Sequence, residues 1–332
     1  MDLRAIYRIL PVAFVIALTV VPLRSSGQAP AAGTEVRIIT LGTAGGPLPR
    51  KDRAQSSNAL VVNGNFYIID AGDGVTRRIV QSGLNFRNVK AIFITHDHSD
   101  HTMGLATLLV TEWEYQRREP LNVYGPPGTA TVVAGVLPYA AVNADIRYGE
   151  GKTEPMPPLF RGFDVQPGTV YHDENVTVTA VENAHFHFQP GTPPYGRYKS
   201  YSYRFATPRG AVVFTGDTGP SDAVTEFARN ATALVTEVES ADEVFARYAG
   251  TDIGKAKTPA EQAGFVRHLR EDHLETGDVG RMASRAKVKS VILTHLPPTK
   301  DPDDQYARYG VAVRSIYSGP VTVAKDLMSI PL

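Results

Sequence analysis

The chain has 332 residues and a mass of 36.0 kDa, enough for one large or two ordinary domains with a sizeable core. Its 42% apolar and 20% charged residues exclude wholesale disorder, and 34 basic residues cancelled by 34 acidic ones argue against nucleic acid or an anionic membrane as a default partner. There is no cysteine, which removes disulfides, thiolate nucleophiles and Cys-based zinc sites, so a metal must sit on His, Asp and Glu.

At the N-terminus, Arg4 and Arg8 precede the uncharged run Ile9–Leu23, and small residues follow around Gly27–Ala32, the pattern of an export signal. The run is shorter than the roughly 20 residues needed to span a bilayer and is interrupted by Pro11 and Pro22. We therefore expect residues 1–29 to be a signal peptide, the mature protein to be periplasmic or secreted, and no stable membrane span once the signal is cleaved; an uncleaved anchor helix is the alternative.

From Thr34 onward, short β-branched runs alternate with helical patterns, without a repeat or a linker, which indicates one domain over 34–332. The pattern predicts strands at Val36–Leu41, Ala59–Val62, Phe66–Asp70, Ala91–Thr95, Asn122–Tyr124, Val176–Val181, Ser200–Thr207, Ala211–Thr215, Leu234–Glu237 and Ser290–Thr294. Helices are predicted at Gly74–Ser82, Thr102–Thr111, Thr129–Ala144, Ser221–Arg229, Thr258–Glu271 and Thr276–Ala286. The mixture is α/β. Several strands end in a polar residue that opens a loop, and in layered α/β folds ligands gather at such carboxyl ends.

The strongest local signal is His96-Asp97-His98-Ser99-Asp100-His101, placed between an apolar strand and a helix. In an extended loop His96 and His98 point the same way, while Asp100 and His101 sit at the incoming helical turn and can face a second ion.

This loop, together with Asp70-Ala71-Gly72-Asp73-Gly74, His185 after Asn183-Ala184, Gly216-Asp217-Thr218 and Thr294-His295, resembles in order the motifs of the metallo-β-lactamase superfamily. Leu41–Pro47 leading to Ser56-Ser57-Asn58, and Leu234–Glu237 followed by His273–Thr276, resemble its RNase Z and arylsulfatase/phosphodiesterase-like branch. The resemblance implies an αββα sandwich: two mixed β-sheets with helices on both outer faces and metals at one rim. It implies two divalent ions, zinc before manganese or iron, with His96, His98 and His185 on one, Asp100, His101 and His295 on the other, and Asp217 between them. His187, two residues beyond His185, is the alternative third ligand. A histidine such as His273, paired with an acid at Glu237, would protonate a leaving oxygen after attack by metal-bound hydroxide, with Asp100 also in the catalytic set. Outside these motifs, His172 and His268 have surface or structural roles, and Tyr195, Tyr198, Tyr201 and Tyr203 could wall a pocket for an aromatic leaving group or simply pack in the sheet.

Differences within the superfamily narrow the chemistry. Class B β-lactamases generally lack an aspartate where Asp217 stands, and di-iron oxygen reductases have an acid where His98 stands. RNase Z carries a tRNA-binding arm between its third and fourth metal motifs, whereas residues 186–216 here hold a loop and two strands. These features lead to an expected exported dinuclear hydrolase of a small-molecule phosphodiester, ester or sulfate ester, without nucleic acid as a partner, as monomer or oligomer. The alternatives are an RNase Z-like endoribonuclease, a lactonase-like ester hydrolase and a non-enzymatic metal-binding module.

Overall fold

In the computed structural model, residues 35–298 and 306–332 are described; the expected signal peptide, residues 1–29, lies outside them. The strands in chain order are β1 (Val36–Gly42), β2 (Ser57–Val62), β3 (Asn65–Ile69), β4 (Val89–Phe93), β5 (Leu121–Gly125), β6 (Phe160–Asp164), β7 (Gly168–His172), β8 (Thr177–Glu182), β9 (Tyr201–Thr207), β10 (Gly210–Phe214), β11 (Ala233–Glu237), β12 (Val291–Thr294), β13 (Val321–Val323) and β14 (Met328–Pro331). The helices are α1 (Val75–Gln81), α2 (Ser99–Thr102), α3 (Leu105–Glu114), α4 (Thr129–Gly149), α5 (Asp222–Phe227), α6 (Ala241–Ala249), α7 (Asp252–Lys255), α8 (Pro259–Glu271), α9 (Thr276–Ala286) and α10 (Ala307–Arg314).

One seven-stranded sheet runs β14-β1-β2-β3-β4-β5-β6 and the other β13-β12-β11-β10-β9-β8-β7. Both are mixed: β3 to β6 pair in parallel, as do β10 to β13, while the remaining pairs are antiparallel. Alternation along the strands produces the layers, because successive side chains point to opposite faces. Tyr67, Ile69, Ala91 and Phe93 turn inward to meet Tyr203, Phe205, Val212 and Phe214 of the facing sheet. Phe66, Ile68, Ile92 and Ile94 turn outward under helices α1, α3 and α4. On the opposite outer face Val213, Leu234, Val291 and Leu293 pack against α5, α9 and α10. Three cores between four layers make an αββα sandwich, as expected.

All ten predicted strands and six predicted helices are present, with shifted ends. The expected helix at Thr102–Thr111 is broken at Met103-Gly104 into α2 and α3, and α4 continues five residues past its expected end, to Gly149. Among the described residues α4 alone is long and apolar enough to cross a membrane by length and composition; here it packs on the sheet through Val133, Val136, Ala140 and Ala144.

Phe93 anchors the inner core, with ring centroids at 5.1 Å from Phe205, 5.5 Å from Tyr124 and 5.6 Å from Tyr203. Phe93→Ala should lower the unfolding free energy by about 3–5 kcal/mol, since a fully buried aromatic leaves a cavity between two sheets that cannot collapse onto it. Urea unfolding of the two proteins measures this, and a loss under about 1 kcal/mol would show that the sheets close the gap.

Candidate metal centre and active site

Strands β3, β4, β8, β10, β11 and β12 end at one rim, and each delivers a polar residue there. The apolar run of β4 holds the strand in the sheet interior, so the polar His96–His101 segment that follows is forced out at its end. Asp217 follows β10 through Gly216, whose φ of 60° and contact with Thr95 demand glycine: a Cβ there would lie 2.7 Å from the Thr95 Cβ. His295 follows β12 in the left-handed region, φ 45°.

Seven donors meet at this rim in two clusters: His96, His98 and His185, then Asp100, His101, Asp217 and His295. In the first, His98 Nδ1 lies 3.0 Å from His96 Nε2 and 3.2 Å from His185 Nε2. Zinc–nitrogen bonds of about 2.0–2.1 Å at tetrahedral angles separate ligand nitrogens by roughly 3.3 Å, so this spacing suits one ion. In the second, His295 Nε2 is 3.2 Å from both Asp100 Oδ2 and Asp217 Oδ2, and His101 Nε2 is 3.4 Å from Asp100 Oδ2 and Asp217 Oδ1. Asp217 Oδ2 also lies 3.9 Å from His96 Nε2, so its carboxylate reaches both clusters. His101 Nε2 and Asp217 Oδ1 are buried without a hydrogen bond, a costly arrangement for lone-pair donors unless a cation shares them. The residues therefore fit two divalent ions, with zinc, manganese and iron all compatible with nitrogen and oxygen donors.

The ligands are aimed by their neighbours. Asp70 accepts from the Thr95 N–H at 2.8 Å and from His101 Nδ1 at 2.9 Å, which leaves the His101 Nε2 lone pair facing the cluster. His185 Nδ1 donates to the Asp272 carbonyl at 2.9 Å, with the same consequence for its Nε2. Burial and adjacent imidazoles hold His96 unprotonated, and burial takes His185 down to about 3, so both are in the form that binds metal. Burial alone would push Asp217 up, but His295 and His101 outweigh it and hold the carboxylate ionised.

His187 is not in either cluster; its ring is exposed and bonds the Asp272 carboxylate, whose other oxygen accepts from His268 Nδ1 at 2.6 Å. His185 is thus the residue brought to the centre. His268, expected to be merely structural or on the surface, lines the 320 Å³ cavity above the clusters, while His172 ends β7 away from it. The same cavity receives His273, whose Nδ1 donates to Glu237 Oε2 at 2.7 Å; Glu237 Oε1 accepts the Thr218 N–H at 2.6 Å. Burial disfavours the charged ring, but Glu237 outweighs it and holds the His273 pKa above its ordinary value. The Gly42–Pro47 turn closes on the clusters, with Gly46 so near Asp100 that a Cβ would overlap its carboxylate. The tyrosine group does not form one wall: Tyr201 and Tyr203 are buried in β9, Tyr195 is exposed, and Tyr198 lines a cavity. Asp272 and Glu239 were missed from sequence; Asp272 acts partly through its backbone carbonyl, which no residue pattern encodes.

Residues 65–296 match the family model described as the Beta-lactamase superfamily domain. The chain belongs to this superfamily. Among curated relatives, a ribonuclease Z of Mycobacterium bovis (strain BCG / Pasteur 1173P2) is 28% identical over 88% of this chain and 96% of its own length. A ribonuclease Z of Mycobacterium sp. (strain KMS) is 31% identical over 79% and 85%. The metallo-β-lactamase fold protein YhfI from Bacillus subtilis superposes with a TM-score of 0.62 at 20% identity, covering 90% of this chain and all of that one. The short form of human tRNase Z gives 0.58 at 20% identity, covering 89% and 98%. The ribonuclease relatives lean against the expectation, drawn from charge and the short 186–216 interval, that nucleic acid is no partner of this superfamily member.

Two outcomes test the centre. Asp217→Ala should yield folded protein that retains fewer than two ions per chain by elemental analysis, since its carboxylate reaches both clusters; two tightly held ions would refute that role. Asp70→Asn should weaken metal affinity about 10–100-fold in a chelator competition, through loss of the carboxylate that orients His101 and holds Thr95.

Proposed function

We propose that this chain is a metal-dependent phosphodiesterase that cleaves ribonucleotide phosphodiester bonds. The observation that carries the reading is the placement of two ligand clusters, joined by Asp217, under the same cavity as the buried His273–Glu237 pair. Ribonuclease Z relatives matched along nearly their full length support the substrate class. His96, His98 and His185 would hold one ion, Asp100, His101 and His295 the other, with Asp217 between them. Divalent ions held there supply Lewis acidity and a water acidified toward neutral pH.

The chain's own residues do the rest. His273 presents Nε2 to the cavity while Glu237 fixes Nδ1–H, so the ring is oriented to release a proton to a departing oxygen. Val244, Phe265 and Leu269 give the same cavity apolar lining, which would limit water around the leaving group. A second reading, hydrolysis of small aryl phosphodiesters or sulfate esters, is favoured by one observation: residues 186–216 hold only a loop, β9 and β10, with no projecting arm. We also propose export, supported by the charge pattern of residues 1–29; N-terminal sequencing of fractionated native protein tests it.

The metal-loaded protein should cleave both bis(p-nitrophenyl) phosphate and short oligoribonucleotides, and a chelator should abolish both. Turnover of aryl sulfate or lactone alone would replace the reading. His273→Ala should retain its metals yet lose roughly 10²–10⁴-fold in rate with alkoxide leaving groups and far less with nitrophenolate, which needs little protonation. Equal losses for the two would show that His273 positions rather than protonates.

A further inference from the structure

Among the described residues, three acids line the cavity above the ligand clusters. Asp100 and Asp217 belong to the clusters. Glu239 belongs to neither and takes no part in the steps derived above. It is 7% exposed, and the backbone fixes its position: two residues beyond Glu237, its N–H donates to the Leu274 carbonyl at 2.8 Å, next to His273. Side chains two apart in an extended segment share a face. Val238 turns into the outer core, so its neighbours turn the other way, Glu237 to His273 and Glu239 to the cavity. The one hydrogen bond of the Glu239 carboxyl among the described residues takes the Ser240 N–H at Oε1, 2.7 Å, which leaves Oε2 for whatever enters the cavity. A buried carboxyl oxygen without a partner is costly, and a ligand that brings a hydrogen-bonding group to it recovers that cost. The described lining holds no lysine or arginine, so nothing in it calls for a second phosphate.

A neutral hydroxyl beside the reacting ester suits this place. We propose that Glu239 recognises the hydroxyl on the carbon next to the departing oxygen, which in a ribonucleotide is the 2′-hydroxyl beside O3′. The proposal rests on the phosphodiesterase reading above and names the part of the substrate read there: the leaving group is a ribose, not a deoxyribose. In the reaction the P–O3′ bond breaks and its electron pair stays on O3′, which takes the His273 proton and becomes a free 3′-hydroxyl. The oxygen of the attacking water stays on phosphorus, as part of a 5′-phosphate. Glu239 is bonded to the segment that carries His273, so a group next to O3′ comes within its reach. A hydroxyl both gives and accepts hydrogen bonds, so the contact holds whichever protonation state the carboxyl is in. The 2′-hydroxyl is also the group by which a protein tells RNA from DNA at a given position.

The test uses the dinucleotide uridylyl-(3′→5′)-uridine with hydroxyl, fluorine or hydrogen at the 2′ position of the departing residue. Fluorine keeps the electron withdrawal that makes O3′ a good leaving group but has no O–H, so the hydroxyl-to-fluorine comparison isolates the hydrogen bond. We expect kcat/KM about tenfold higher for the hydroxyl than for the fluorine substrate, with a free 3′-hydroxyl and a 5′-phosphate as products. Glu239→Leu should bring the ratio close to one, and Glu239→Gln, which still gives and accepts hydrogen bonds, should keep most of it. If the leucine variant does not fold, Glu239→Ala removes the same oxygens and is read in its place. A ratio of two substrates on one protein cancels any loss of metal or of folded protein that both share. A ratio near one in the unaltered protein, or one that survives Glu239→Leu, would overturn the proposal while leaving phosphodiester hydrolysis intact. So would a 2′,3′-cyclic phosphate product, which would make the 2′-hydroxyl the nucleophile. If no dinucleotide is cleaved, the reading of function fails instead. An NMR titration with uridine against 2′-fluoro-2′-deoxyuridine then decides the recognition on its own: tighter uridine binding that Glu239→Leu abolishes supports it, and equal affinities overturn it.

Discussion

One buried carboxylate is the point at which the two halves of this sandwich meet chemically. Asp217, almost inaccessible to water, faces His96 and His101 from the first sheet and His295 from the second. An ionised carboxylate in such surroundings is costly unless its partners share the charge. Divalent ions held by these donors would share it, which couples the spacing of the sheets at this rim to the electrostatics of the centre. The sheets are tied at the same level by uncharged contacts: the Tyr201 N–H donates to the Thr95 carbonyl at 2.8 Å and the Tyr203 hydroxyl to the Ile94 carbonyl at 2.9 Å. Those bonds lie just before His96, so the loop that carries the ligands leaves a strand end already held in place.

Some of the backbone strain falls where precision is needed. Asp70, Gly216 and His295 all adopt positive φ, at 64°, 60° and 45°. For the two residues with a Cβ this costs on the order of 1 kcal/mol or more each. Each stands at the turn between a strand and the centre, and each redirects a side chain or its successor inward: Asp70 toward Thr95 and His101, Gly216 toward Asp217, His295 toward Asp100. The strained turns therefore set the positions of the donors, while the strands beneath them supply the rigidity that keeps the strain from relaxing.

How much of this was legible in the sequence follows from how local each feature is. The six-residue loop at His96 declares itself because all six of its residues are polar and adjacent, and the apolar runs before His96, Asp217 and His295 mark their strands. Edge strands did not show: β6 and β7 are short, contain Gly162 and Gly168, and expose much of their length, so they lack the alternation that identifies a buried strand. In β13 there are only three residues and in β14 four. Helices α6 and α7 carry mixed charges and bury little, and α10 has Gly310 in its middle, which weakens its periodicity. The Glu237–His273 pair, 36 residues apart, came from family resemblance, because nothing in the intervening chain says that the two meet.

The division between legible and hidden parts has a functional side. Ligand donors sit at the ends of central strands, where packing on both faces dictates the residues. The cavities are walled by segments that the sheets leave free: the loop from Phe186 to Lys199 and the start of α4 on one side, α6 and α8 on the other. The loop from Phe186 to Lys199 pairs with neither sheet, so its composition is the freest of these to vary. The same separation lets the walls of the cavities vary while the fold and the rim stay as they are. The rim carries the ligand donors, and the loops bring aromatic, acidic and basic side chains alongside His98.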